Sequence, residues 1–152
     1  MKAVYVTSMA VLMMAGMMSG CGGSGASGRE NAGLDGYTMR MADAGQATFV
    51  LSFSGTEADI YRAENVFHYR GAYSYELRED SNSAVLNIRA SVSGNNYCSM
   101  NDVRINFNDA DRRSGVIASG SCKEDGADIE PPLQGVERPM AGWSVEVEKS
   151  SN

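Results

Sequence analysis

The chain has 152 residues, 43% of them hydrophobic and 21% charged, with a formal net charge of −6. That length suits one domain, and the composition excludes collagen-like and wholly disordered chains. The acidity argues against a nucleic-acid partner, whose phosphates would have to be met by a basic patch; the one adjacent basic pair, Arg112-Arg113, sits beside Asp109 and Asp111.

Residues 1–20 carry a single cation, Lys2, followed by an uncharged run from Ala3 to Met18, and they hold six of the ten methionines. An apolar run of ~16 residues is short of the ~20 that a membrane-spanning helix needs. It reads as the hydrophobic region of an export signal. The run ends in Met18-Ser19-Gly20-Cys21, which resembles the lipobox of bacterial lipoproteins: a large aliphatic residue, two small ones, then cysteine. The resemblance implies that residues 1–20 are a signal peptide, and that Cys21 becomes a lipidated N-terminus anchored to a membrane. Several acyl chains anchor stably where one is marginal. Gly22 stands where an Asp would retain such a protein at the inner membrane, which implies the outer membrane and leaves the periplasmic or outer face open. Removing residues 1–20 takes away only Lys2 and moves the net charge from −6 to −7.

Residues 21–36 are expected to form the lipidated cysteine and a flexible Gly/Ser linker, since such a stretch buries too little apolar area to offset chain entropy. Its reach is ~20 Å r.m.s.. Gly23, Gly25 and Gly28 match a dinucleotide-binding spacing, but no strand precedes them and no helix follows. No cofactor is expected.

Residues 37–152 are expected to form an all-β domain. Apolar residues recur every second position at Phe49, Leu51 and Phe53, at Tyr73, Tyr75 and Leu77, and at Leu86, Ile88, Ala90 and Val92. The same holds for Val103, Ile105 and Phe107 and for Trp143, Val145 and Val147. Period two means half-buried strands. Weaker candidates over 61–70 and 114–122 bring the number to about seven, although Glu57 to Phe67 is also open to one or two helical turns. Turn-forming clusters at 79–82, 93–96 and 108–111 join neighbouring strands. The pattern predicts a small antiparallel sandwich or barrel and does not choose between them. Pro131, Pro132 and Pro139 lie in an acidic, glycine-bearing stretch over 123–142, which reads as an irregular excursion because proline donates no ladder hydrogen bond. Ala84 to Ser93 and Asn101 to Ser119 resemble strands of surface-lipoprotein barrels such as the transferrin-receptor lipoprotein group. That likeness carries no residue roles over.

With Cys21 assigned to lipid, Cys98 and Cys122 remain and are expected to form a disulfide in an oxidising compartment. A closed loop of ~25 residues would contribute ~3.5 kcal/mol. Two thiols and one distant histidine do not make a zinc site, so no metal is expected. The single histidine, His68, has no nucleophile signature to serve and reads as structural or surface. No catalytic residue is assigned. Asp109 and Asp111 lack the glycine and glutamate of a calcium loop and read as turn residues. Tyr61, Tyr69, Tyr73, Tyr75 and Tyr97 combine strand propensity with interface chemistry. Alternation aims Tyr73 and Tyr75 to one side, which makes them the candidate binding pair.

The resulting expectation is a non-enzymatic lipoprotein of the outer membrane, whose β domain binds a protein or envelope component. The alternative is an inhibitor or immunity protein against a lysozyme-like enzyme, with the acidic 123–138 segment entering a basic cleft.

Overall fold

The computed structural model describes residues 33–44, 46–62, 68–78, 81–92, 95–129 and 134–151. The lipobox, Cys21, the linker up to residue 32 and the Pro131-Pro132 pair lie outside them. The strands are β1 (Tyr37–Asp43), β2 (Gln46–Ser54), β3 (Glu57–Arg62), β4 (His68–Arg78), β5 (Ser83–Val92), β6 (Asn96–Phe107), β7 (Ser114–Asp125), β8 (Glu137–Pro139) and β9 (Ser144–Lys149). There is no α-helix among the described residues.

β1 to β7 form an antiparallel meander, and β9 pairs with both β1 and β7. The sheet therefore closes into an eight-stranded barrel, and β8 is an additional strand beside β7. Closure removes the two unpaired edges that an open sheet would expose. Inward positions follow the predicted alternation: Phe49, Leu51 and Phe53 are buried from β2, and Tyr73 and Tyr75 from β4. Leu86, Ile88 and Ala90 from β5, and Val103, Ile105 and Phe107 from β6, complete much of the core.

Several expectations are corrected. The described residues form nine strands rather than about seven. β1 supplies Met39 and Met41 to the core. Glu57 to Arg62 is a strand and not a helical turn, because its backbone is paired on both sides, with β2 and with β4, while Ala58 and Ile60 point inward. β6 starts at Asn96, earlier than the alternation from Val103 suggests, because a bulge after Met100 shifts the phase. At that bulge Asp102 adopts φ 49°, and its N–H donates to Asn87 Oδ1 at 2.8 Å. Cys98 and Met100 before the bulge and Val103 after it thus all face inward, as an extra residue in one strand requires.

Residues 34–36, expected to belong to the linker, pack on and pair with the barrel. Leu34 is 2% exposed, Gly36 N donates to Phe53 O at 3.0 Å, and Ser150 N donates to Gly36 O at 2.8 Å. Most of the 123–142 excursion that is described also belongs to the barrel. β7 runs on to Asp125, Ile129 and Met140 are buried, and Asn96 Nδ2 donates to Asp128 Oδ2 at 2.6 Å. Pro139 fits in β8 because that strand has a neighbour on one side only.

Candidate functional site

The chain enters the barrel at residues 33–37. At this entry end lie the β2–β3, β4–β5 and β6–β7 connections and the end of β9. The core stops one layer short of the rim here: Tyr37, Leu77 and Val147, the last inward residues of β1, β4 and β9, are only half-buried. Above them a cavity of about 580 Å³ opens, within the ~300–1,000 Å³ typical of small-molecule sites. Gly33 crosses over its mouth, so close to Tyr75 that a Cβ there would meet the ring at 3.3 Å.

The β6–β7 turn supplies the charge. Asp109 organises it, accepting from Arg113 N at 3.2 Å through Oδ1 and from the Ser114 hydroxyl at 3.3 Å through Oδ2. This is the Asx chemistry expected of the 108–111 cluster. The turn holds Arg112 at φ 55°, a left-handed conformation uncommon outside glycine. Arg112 lines the cavity, and its Nε is sealed from solvent with no hydrogen-bond partner among the described residues. Burial pushes the Tyr75 phenol up to about 12, with Arg112 pulling the other way, so the phenol stays protonated at neutral pH and can donate.

The far end carries an ionic cluster. Glu124, 1% exposed on β7, receives Arg138 Nη2 from β8 at 3.0 Å and Arg62 Nη1 from β3 at 3.3 Å. The Tyr69 hydroxyl donates to its other oxygen at 3.3 Å. Desolvation, and secondarily the Glu124 charge, push the Tyr69 phenol upward. Two cations and a hydroxyl offset the cost of taking this carboxylate out of water. Arg138 also lies over the Phe49 ring, 6.0 Å from its centroid, and Phe49 stacks on Trp143 at 6.2 Å.

The residues singled out in the sequence are scattered. Tyr73 and Tyr75 point into the barrel rather than forming an outer binding face. Tyr73 is a core residue, its hydroxyl donating to Gly55 O at 3.1 Å, and Tyr75 forms part of the cavity wall. His68 is on the outer surface, stacked on Tyr61 at 4.6 Å with Nε2 2.6 Å from Asp59 Oδ1. It lines neither the cavity nor the ionic cluster. Glu124, Arg62 and Arg138 were not singled out, and Arg112 was noted only as half of the adjacent basic pair. Glu124 shares inward parity with Cys122, which was the available signal.

The expected disulfide is replaced by two free, buried thiols, Cys98 and Cys122. The register explains why. Cys98 faces Glu124 and Cys122 faces Met100, so the two cysteines are diagonal neighbours on β6 and β7. Diagonal positions are ~7–8 Å apart, beyond the usual Cα separation of a disulfide. Burial raises both thiols above the ordinary range, Cys98 further by the Glu124 charge. Since the thiolate is the reactive form, native protein carrying Cys21→Ser is expected to resist thiol reagents and to expose two thiols per chain on unfolding without reductant. No titratable thiol after unfolding would mean that the pair is bonded after all.

Among the described residues, no group of three or more His, Cys, Asp or Glu is placed to hold a metal. Compared with protein-family models, curated proteins and solved structures, the chain matches none.

Proposed function

We propose that the chain is a lipid-anchored protein of the bacterial outer membrane, whose barrel binds a protein or envelope component and catalyses no reaction. The observation that carries this reading is the Met18-Ser19-Gly20-Cys21 sequence at the end of an uncharged apolar run. Eleven residues, 22–32, then separate Cys21 from the first described residue of the barrel. An anchor at Cys21 would tether the barrel by its entry end, the end that carries the cavity. Even fully extended, eleven residues span no more than ~40 Å, which keeps that end near the membrane surface.

Intact-mass spectrometry of the protein from a membrane fraction tests the anchor. The expected product lacks residues 1–20 and carries a diacylglyceryl group on Cys21; Cys21→Ser is expected to move most of the protein out of the membrane fraction. Retention of residues 1–20 with an unmodified sulfur overturns the reading. Trypsin added to intact cells then reports the face: digestion places the barrel outside, and resistance until the outer membrane is opened places it in the periplasm.

A further inference from the structure

The geometry points to the entry-end cavity as a binding site for a long-chain carboxylate, with the chain in the barrel mouth and the anionic head on Arg112. This inference concerns the barrel alone and holds whether or not Cys21 carries lipid.

Three observations converge on that ligand class. The first is the unfinished core. Tyr37, Leu77 and Val147 face inward yet are half-buried, and apolar surface left in contact with water at ~25 cal/mol per Å² favours an apolar occupant. The site's ~580 Å³ is lined by the Gly33-Leu34 segment, by β4 and β9 and by the β6–β7 turn, which is room for an apolar chain beside the charged turn. The second is Arg112. Among the described residues no carboxylate pairs with its side chain, although it lines a cavity wall. An unpaired guanidinium in a cavity wall attracts an anion, and a planar carboxylate matches a guanidinium with two parallel charge-assisted hydrogen bonds.

The third is the local charge and hydroxyl balance. Arg112, Arg113 and Lys149 stand at the mouth against Asp111 and Glu148, a net positive rim on a chain that is acidic overall. The protonated phenol of Tyr75 lies in the same wall and supplies a neutral donor beside the guanidinium. A wholly neutral amphiphile would leave Arg112 unpaired, and an inorganic anion would leave the apolar wall wet. Only a molecule with both parts satisfies the site.

The test uses the full chain carrying Cys21→Ser, so that no acyl group of its own is attached. A fluorescent long-chain carboxylate is titrated into it, alongside the alcohol of the same chain length and inorganic phosphate as a competitor. Saturable one-to-one binding of the carboxylate is expected, with the alcohol at least about tenfold weaker (~1.4 kcal/mol) and phosphate failing to displace the probe. Arg112→Asn removes the charge while keeping a residue that tolerates the left-handed backbone, and is expected to weaken the carboxylate by a similar factor and leave the alcohol unchanged. The inference is overturned by absence of saturable binding, by equal affinity for acid and alcohol, or by displacement with phosphate alone. The acid-against-alcohol comparison is made in the protein with Arg112 intact, so it decides the question even if Arg112→Asn folds poorly.

Discussion

Glu124→Ala is expected to lower the unfolding free energy of the barrel by roughly 3–5 kcal/mol, the usual cost of removing one partner of a buried ion pair. The substitution leaves Arg62 and Arg138, with side chains 14% and 22% exposed, facing each other without their shared carboxylate. It also removes the carboxylate oxygen to which the Tyr69 hydroxyl donates at 3.3 Å. Against a total stability of ~5–15 kcal/mol, that is a large fraction. Glu124→Gln keeps one acceptor oxygen, for Tyr69 or for the guanidiniums but not for both, and is expected to cost less than the alanine. Replacing the whole cluster by apolar residues of similar volume is expected to cost less again, because the desolvation penalty disappears along with the attraction. Urea unfolding followed by circular dichroism orders the three. A loss below about 1 kcal/mol for Glu124→Ala would show that water reaches the cluster.

Gly71→Ala should be nearly as damaging, for a steric reason alone. Gly71 occupies an inward position of β4, opposite Ala90 of β5, and a Cβ there would lie 2.1 Å from Arg89 O and 2.6 Å from Ala90 Cα. Both atoms are backbone, so relief requires the β4–β5 pairing itself to open. Overpacking of side chains costs ~1–3 kcal/mol, and a backbone clash is expected at or above the top of that range. Gly55→Ala is the control. Its φ of 58° disfavours a side chain, but nothing lies within 4 Å of the added atom, so only the ~1–2 kcal/mol left-handed penalty applies. Equal losses at the two positions, measured as denaturant midpoints, would show that the close approach at Gly71 relaxes freely.

The sequence placed the inward faces well. Phe49, Leu51, Phe53, Tyr73, Tyr75, Ile88, Ile105 and Val145 are buried as the period-two pattern predicts, because a strand with one wet and one dry face writes its geometry directly into alternation. The turns were legible for a similar local reason. Asn82 at φ 45° and Asn95 at φ 64° adopt the left-handed conformation that their short polar side chains tolerate. The misses lie where one element depends on another. β3 looked ambiguous because Glu57 to Arg62 offers only Ala58 and Ile60 as inward apolar residues; it is a strand because β2 and β4 flank it. β8 has three residues, one of them proline, too short for any period to register.

The candidate site was legible only in pieces. Tyr75 was singled out with Tyr73 as a binding pair, and the fold separates them, Tyr75 in the cavity wall and Tyr73 in the core. Arg112 stood out only as half of the one adjacent basic pair, since nothing local distinguishes it from Arg113. Only the closure of β9 against β1 and β7 brings the β6–β7 turn over Tyr37, Leu77 and Val147. Cys98 and Cys122 show the same limit. Number and an oxidising compartment favoured a bond between them, whereas pairing register decides how far apart they stand.

Alternation and turn chemistry are properties of neighbours along the chain, so residues 37–152 by themselves determined an antiparallel β domain and which side chains it buries. Closure, register and the pairing of buried charges depend on residues distant in sequence. Glu124 meets Arg62 across 62 positions, and only the folded barrel sets the distance and the exclusion of water that give that contact its energy.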